Sequence, residues 1–235
     1  MKVEIKNQEG NITYALFKNG EELIGQSHIS ILPNVKTQIT SSSINSENKT
    51  WKPVWGQFSE IKNEYKELVL DVLLEKVKAK LYVRVFNHGV GFRYELDKFK
   101  EGTEATFYCE YNFKNTDVLY SPNGERPPLG PLSVEDLSKE KKQTKLMTPL
   151  VVKHSETSYF SILESDLFVA PEFGTIKFKF NKVKNLLTAV NKAKLKGTKL
   201  TTPWRVILVE EKIGDLVTNT AVSYTHLTLP TTPYV

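Results

Sequence analysis

The sequence predicts a mainly β chain folded as a large antiparallel β-sandwich, and three observations carry that prediction. Period-two alternation of apolar and polar residues dominates the chain, the mark of strands with one buried and one wet face. Two runs of this kind are broken by turn residues that reverse the chain within a few positions. Helical spacing is hinted at in one place only, Leu186, Leu187, Val190 and Ala193. With 235 residues, 40% of them hydrophobic and 11% aromatic, the chain is long enough to bury the core of one large all-β domain.

The elements follow in order. Met1 to Asn7 is strand-like and charged, with no apolar signal core, and no stretch is long enough to span a bilayer. Asn11 to Phe17 and Glu21 to Ile24 flank Asn19-Gly20, which reads as a hairpin. Val35 to Thr50 is rich in Ser, Thr and Asn and reads as a surface loop, with an Asn48-Lys-Thr50 glycosylation pattern of the kind common by chance. Leu81 to Phe86 and Val90 to Leu96 flank Asn87-His88-Gly89, a second hairpin. Around Cys109, small and aromatic residues alternate, which predicts a buried thiol; as the single cysteine it excludes an internal disulfide. Ser121 to Pro131 is a loop dense in Pro and Gly, and the lysine-rich stretch from Ser138 to Lys145 reads as solvated. Ile176 to Phe180 alternates most cleanly of all.

The formal charge of +5 invites a nucleic-acid reading, but only four arginines occur, and many of the lysines alternate with apolar residues along strands. The basic balance is therefore solubilising, with no nucleic-acid partner expected. After Asp215 the chain carries no Asp, Glu, Lys or Arg, against 25% overall. Residues 221–235 are expected to be a non-native tail, the read-through of a sequencing adapter, with native sequence ending near Thr220.

Four stretches, taken together, resemble a known family: Trp51-Lys-Pro-Val-Trp-Gly56 with Glu60 to Tyr65; Arg84 to Tyr94; Ser121 to Pro131; and Thr202-Pro-Trp-Arg-Val-Ile207 with Gly214-Asp215-Leu216. In this order and spacing they are similar to the N-terminal domain of glycoside hydrolase family 97. The resemblance covers about Val3 to Thr220 and implies a galactose-mutarotase-like supersandwich over residues 1–220. It further implies a catalytic (β/α)8 barrel and a small C-terminal β domain, both absent from this chain. The implied whole protein is a calcium-dependent α-glucosidase or α-galactosidase acting on α-linked carbohydrate and exported to the periplasm. Its catalytic carboxylates belong to the barrel, so this chain is expected to be inactive alone.

The same resemblance implies one calcium-binding glutamate from the sandwich. Glu125, in the Pro/Gly-rich loop, is the first candidate, since calcium takes several oxygen ligands and loops on rigid scaffolds present sites. Glu164, at the end of the apolar run Tyr159 to Leu163, is the second; a structural salt bridge explains it equally well. Trp204 reads as structural, and Arg93 as pairing with an interior carboxylate. Two readings of other classes stay open: a stand-alone carbohydrate-binding module using Trp51, Trp55 and nearby tyrosines, and a mutarotase-like epimerase. The last requires His88 or His154 to face a glutamate in one cleft.

Overall fold

The computed structural model describes residues 1–219 apart from 33, 53–57, 141–142 and 195–196. Trp55, part of the lysine-rich stretch and the expected tail 221–235 lie outside the described residues. Among the described residues, sixteen strands run in chain order: β1 (Lys2–Gln8), β2 (Asn11–Lys18), β3 (Glu21–Ser30), β4 (Thr37–Trp51), β5 (Ile61–Leu74), β6 (Val77–Phe86), β7 (Gly89–Asp97), β8 (Glu104–Tyr111), β9 (Val118–Asn123), β10 (Arg126–Ser133), β11 (Leu150–Ser155), β12 (Ser158–Ser165), β13 (Lys177–Asn181), β14 (Leu186–Lys194), β15 (Lys199–Thr201) and β16 (Trp204–Glu210). Two short helices, α1 (Val134–Lys139) and α2 (Asp215–Thr218), complete the list with two 3₁₀ turns. No helix among the described residues is long and apolar enough to cross a membrane.

The strands form two antiparallel sheets. One has the order β1-β2-β3-β8-β14-β13; the other runs β10-β9-β11-β12-β16-β7-β6-β5-β4, with β15 beside β7. Alternation decides which side chains meet. In β7, Val90, Phe92, Tyr94 and Leu96 point into the core, and in the opposite sheet Tyr14 and Phe107 do the same. Tyr14 packs on Phe92 with ring centroids 4.8 Å apart, and Tyr94 meets Phe107 edge-on at 5.9 Å. Each such side chain contributes on the order of 1.5–3 kcal/mol by leaving water, so the contact between sheets holds the sandwich together. Cys109 is buried in the same core, as expected.

Both predicted hairpins form, with Asn19-Gly20 and Asn87-His88 at their turns. Asn19 (φ 51°) and Gly20 (φ 86°) take the left-handed conformations that such a turn requires. Three expectations fail. The stretch read as a loop from Val35 to Thr50 is mostly β4, an edge strand with most side chains in water, where no apolar alternation is needed. Leu186, Leu187, Val190 and Ala193 lie on a strand, β14, whose apolar spacing arises because most of both its faces are covered. The Pro/Gly-rich segment Ser121 to Pro131 is the β9–β10 hairpin; Pro127 and Pro128 are tolerated because β10 ends its sheet and owes few ladder bonds. Helix α1, which no sequence expectation covers, starts at the capping box formed by Ser133 and Asp136.

Strand β3 bulges against β2 between Glu22 and Ser27 and against β8 between Gly25 and Ile29, and side chains replace the missing ladder bonds. The Glu110 carboxylate accepts from the His28 N–H at 3.0 Å, Tyr14 Oη donates to the Glu110 carbonyl at 2.7 Å, and Ser27 Oγ accepts from the Asn112 N–H at 3.0 Å. Tyr108 Oη (2.7 Å) and Lys184 Nζ (2.8 Å) also donate to Glu110. Burial opposes the charge, but Lys184, Tyr108 and the His28 N–H outweigh it and hold the carboxyl below its ordinary range. A depressed folded pKa contributes stability above the unfolded value, lost as pH falls through the folded one. Glu110→Gln should therefore lower stability at neutral pH by about 1–3 kcal/mol and flatten its fall below about pH 4.5. Urea unfolding across that range checks both effects.

Candidate functional site

The two predicted metal ligands fall in opposite environments. Glu125 is exposed at the tip of the β9–β10 hairpin, beside Gly124, whose φ of 63° shapes the turn. Its carboxylate stands out in solvent on a scaffold built by both strands. Glu164 shares the parity of Phe160 and Ile162 on β12, so its side chain points between the sheets. There Arg205 Nη1 approaches Glu164 Oε1 at 3.4 Å, and the Ile176 N–H donates to Oε2 at 3.1 Å. Arg205 in turn donates to Asn191 Oδ1 at 2.6 Å and lies over the Phe107 ring at 4.8 Å. The Glu164 and Arg205 side chains are 6% and 0% exposed. Burial pushes the Glu164 carboxyl above its ordinary range, against the pull of Arg205 and the hydrogen bonds from Ile176 and Asn191.

These environments decide what each carboxylate can offer an ion. Glu164 has an oxygen committed to each of two buried partners, whereas Glu125 is free to serve as one ligand. No group of three His, Cys, Asp or Glu side chains able to hold a metal exists among the described residues. The described residues do not by themselves form a calcium cage.

On the outer face of the larger sheet, Trp204, Val206 and Leu208 of β16 form a second apolar cluster with Phe86, flanked by Tyr65, Tyr82, Leu163 and Leu216. This cover explains why every residue of β16 is buried. Trp204 is structural, as expected: the guanidinium groups of Arg84 and Arg93 lie 4.6 and 4.7 Å from its ring. Arg84 pairs with Glu67 at 2.6 Å, and Arg93 pairs with Asp166. The Arg93 partner thus sits on the outer face, not in the interior, because Arg93 alternates with the inward-facing Phe92 and Tyr94.

Among the described residues, two histidine rings stand within ion-pair distance of carboxylates. His88 Nδ1 is 3.1 Å from Glu210 Oε2, and Asn219 Nδ2 donates to the other Glu210 oxygen at 2.8 Å. The pair opens on a cavity of about 260 Å³ lined also by Lys62, Glu64 and Phe86. The His154 side chain is fully buried, with Nδ1 2.8 Å from Asp117 Oδ1, a close electrostatic approach outside hydrogen-bond geometry. Its Nε2 is 3.2 Å from Glu21 and 3.1 Å from Lys114 Nζ. Only His88 faces its glutamate in a described cavity, as the mutarotase-like reading requires; the His154 side chain is sealed from solvent. The Asp117–His154 contact had no signal in the sequence, since the two residues belong to different segments and share no motif. Trp51, at the end of β4, is half-buried.

The model for the family described as glycosyl-hydrolase 97 N-terminal matches residues 1–225. The chain belongs to that family. The solved structures similar to this glycosyl-hydrolase 97 N-terminal chain share its fold at low identity. A glycoside hydrolase family 97 enzyme from Pseudoalteromonas sp. strain K8, in complex with acarbose, is 20% identical with a TM-score of 0.74, covering 92% of this chain and 35% of that one. A β-arabinopyranosidase is 16% identical with a TM-score of 0.71, covering 89% and 38%. An α-galactosidase from Lactobacillus brevis is 8% identical with a TM-score of 0.50, covering 89% and 39%. The chain thus spans little more than a third of the length of these structures.

Proposed function

We propose that this chain is the N-terminal sandwich of a calcium-dependent glycoside hydrolase that cleaves α-linked glucosides or galactosides. The observation that carries the reading is the family match, which runs through the whole described sandwich. In this account the sandwich is scaffold: its interior is filled by the Tyr14, Phe92, Tyr94 and Phe107 contacts and by the Glu164–Arg205 pair. The acid and base carboxylates that flank a glycosidic bond come from a barrel outside this chain. Glu125 contributes one carboxylate oxygen to the calcium ion, which neutralises local negative charge and orients groups around the sugar. The protein is exported, in keeping with the family resemblance.

The test uses the longer polypeptide encoded with this chain. Aryl α-glucosides and α-galactosides are the substrates, and calcium affinity is read by titration after chelation. Chelation should abolish turnover and added calcium restore it. Glu125→Gln should weaken calcium binding by at least about tenfold, the scale of about 1.4 kcal/mol, and leave the fold intact. Calcium affinity unchanged in Glu125→Gln would remove Glu125 from the site; activity indifferent to chelation would remove the ion from the mechanism.

A further inference from the structure

We infer that the free edge of β4 pairs with β4 of a second copy of this chain, antiparallel about a two-fold axis at Ile44. β4 ends the order of the larger sheet and runs for 15 residues. Beyond Thr37, whose N–H and C=O bond to Gly10 and Asn7, its outer side pairs with no described strand. An edge of this length is a template for another strand, and proteins blunt such edges with lysines, prolines, bulges or shortness. Here the protection is thin. β4 contains no proline, carries only Glu47 and Lys49 as charges, and has one irregularity, between Ile39 and Ser41.

The occupant is argued from self-complementarity. Ile44 is the central residue of β4 and stands 76% exposed. Its cross-strand neighbour, Leu68, packs against the core. Ile44 therefore continues the apolar side of the larger sheet past the point where the smaller sheet covers it. A two-fold axis at Ile44 sets it against the partner's Ile44. The same axis sets Ser43 against the partner's Asn45, Ser42 against the partner's Ser46, and Ser41 against the partner's Glu47. Each of these four pairs is apolar with apolar or polar with polar, and no like charges oppose; outside this span the axis sets Ile39 against the partner's Lys49. From Ser41 to Glu47 the strand keeps an unbroken register against β5, so no bulge interrupts the segment that would ladder. The result is an isologous dimer with one sheet continuous through both copies.

Light scattering on the eluting 235-residue chain, over a range of concentrations, tests this. The wild type should shift from monomer to dimer as concentration rises. Ile44→Lys places like charges on the axis and should remain monomeric throughout, with an unchanged circular dichroism spectrum and melting temperature because the site is exposed. Mixing Ile44→Lys with Ile44→Glu should restore a heterodimer. Ile44→Cys should form a covalent dimer on oxidation, since opposed strand residues lie about 4.5–5.5 Å apart, within disulfide reach, while Cys109 is buried and does not compete. A wild type that stays monomeric overturns the inference, as it would if β4 instead accepted a strand from elsewhere in a longer polypeptide. A dimer that survives Ile44→Lys also overturns it, by placing the contact on another surface.

Discussion

Glu164→Ala should lower the stability of the sandwich by about 3–5 kcal/mol, the loss that follows when one partner of a buried ion pair is removed. The reason lies in what stays behind. Arg205 is 0% exposed and keeps only the Asn191 hydrogen bond and the Phe107 ring for its charge, and its Nε already has no partner among the described residues. A guanidinium cannot shed its proton to escape, so the uncompensated charge remains at any working pH. The Ile176 N–H loses its acceptor as well.

Arg205→Met should be milder, because the carboxyl left behind can take up a proton; burial already pushes it that way. Replacing both, Glu164→Leu with Arg205→Met, should recover most of the loss or exceed the wild type, since an apolar pair of similar volume avoids two desolvation costs. The pH sign also separates this pair from Glu110. A folded pKa raised above the unfolded one contributes stability at low pH, lost as pH rises through the folded value. Glu164 therefore favours folding below about pH 4.5, where Glu110 begins to lose its contribution. Urea unfolding of the single and double variants reads all of this. A Glu164→Ala loss under about 1 kcal/mol, the range of an exposed pair, would place Glu164 in solvent and make it available as a metal ligand again.

The parts of this fold legible in the sequence were those where local chemistry and alternation agree. Asn19-Gly20 demands a turn wherever it lies, and Val90, Phe92, Tyr94 and Leu96 specify a face whatever they meet. β4 was illegible because a strand in water on both sides has no reason to alternate, so Ser41 to Ser46 reads as a loop. β14 was illegible for the opposite reason: with most of both faces covered, Leu186, Leu187, Val190 and Ala193 give no two-residue period. At the site, the inward direction of Glu164 was implicit in its parity with Phe160 and Ile162. Its partner was not, because Arg205 reaches it only after β12 and β16, 41 residues apart in sequence, become neighbours. His154 and Asp117 meet in the same way, with β11 bringing the imidazole to the turn that precedes β9.

The second large effect concerns catalysis. Cleaving a glycosidic bond takes two carboxylates on either side of it, about 5–5.5 Å apart for retention and 6.5–9.5 Å for inversion, one protonated and one ionised. Glu164 is sealed in the interior by Arg205, and Glu110 is locked by Lys184 and Tyr108. Glu67 and Asp166 are held by the two arginines that lie against Trp204. Glu210 is buried at the wall of its cavity, with His88 rather than a second acid as its close partner. In the proposed function the sandwich is scaffold and the chemistry belongs to a neighbouring domain. The direct measurement is turnover of aryl α-glucosides and α-galactosides by the purified, folded 235-residue chain with calcium present. The account predicts a rate indistinguishable from the uncatalysed background; sustained turnover that copurifies with the chain would contradict it.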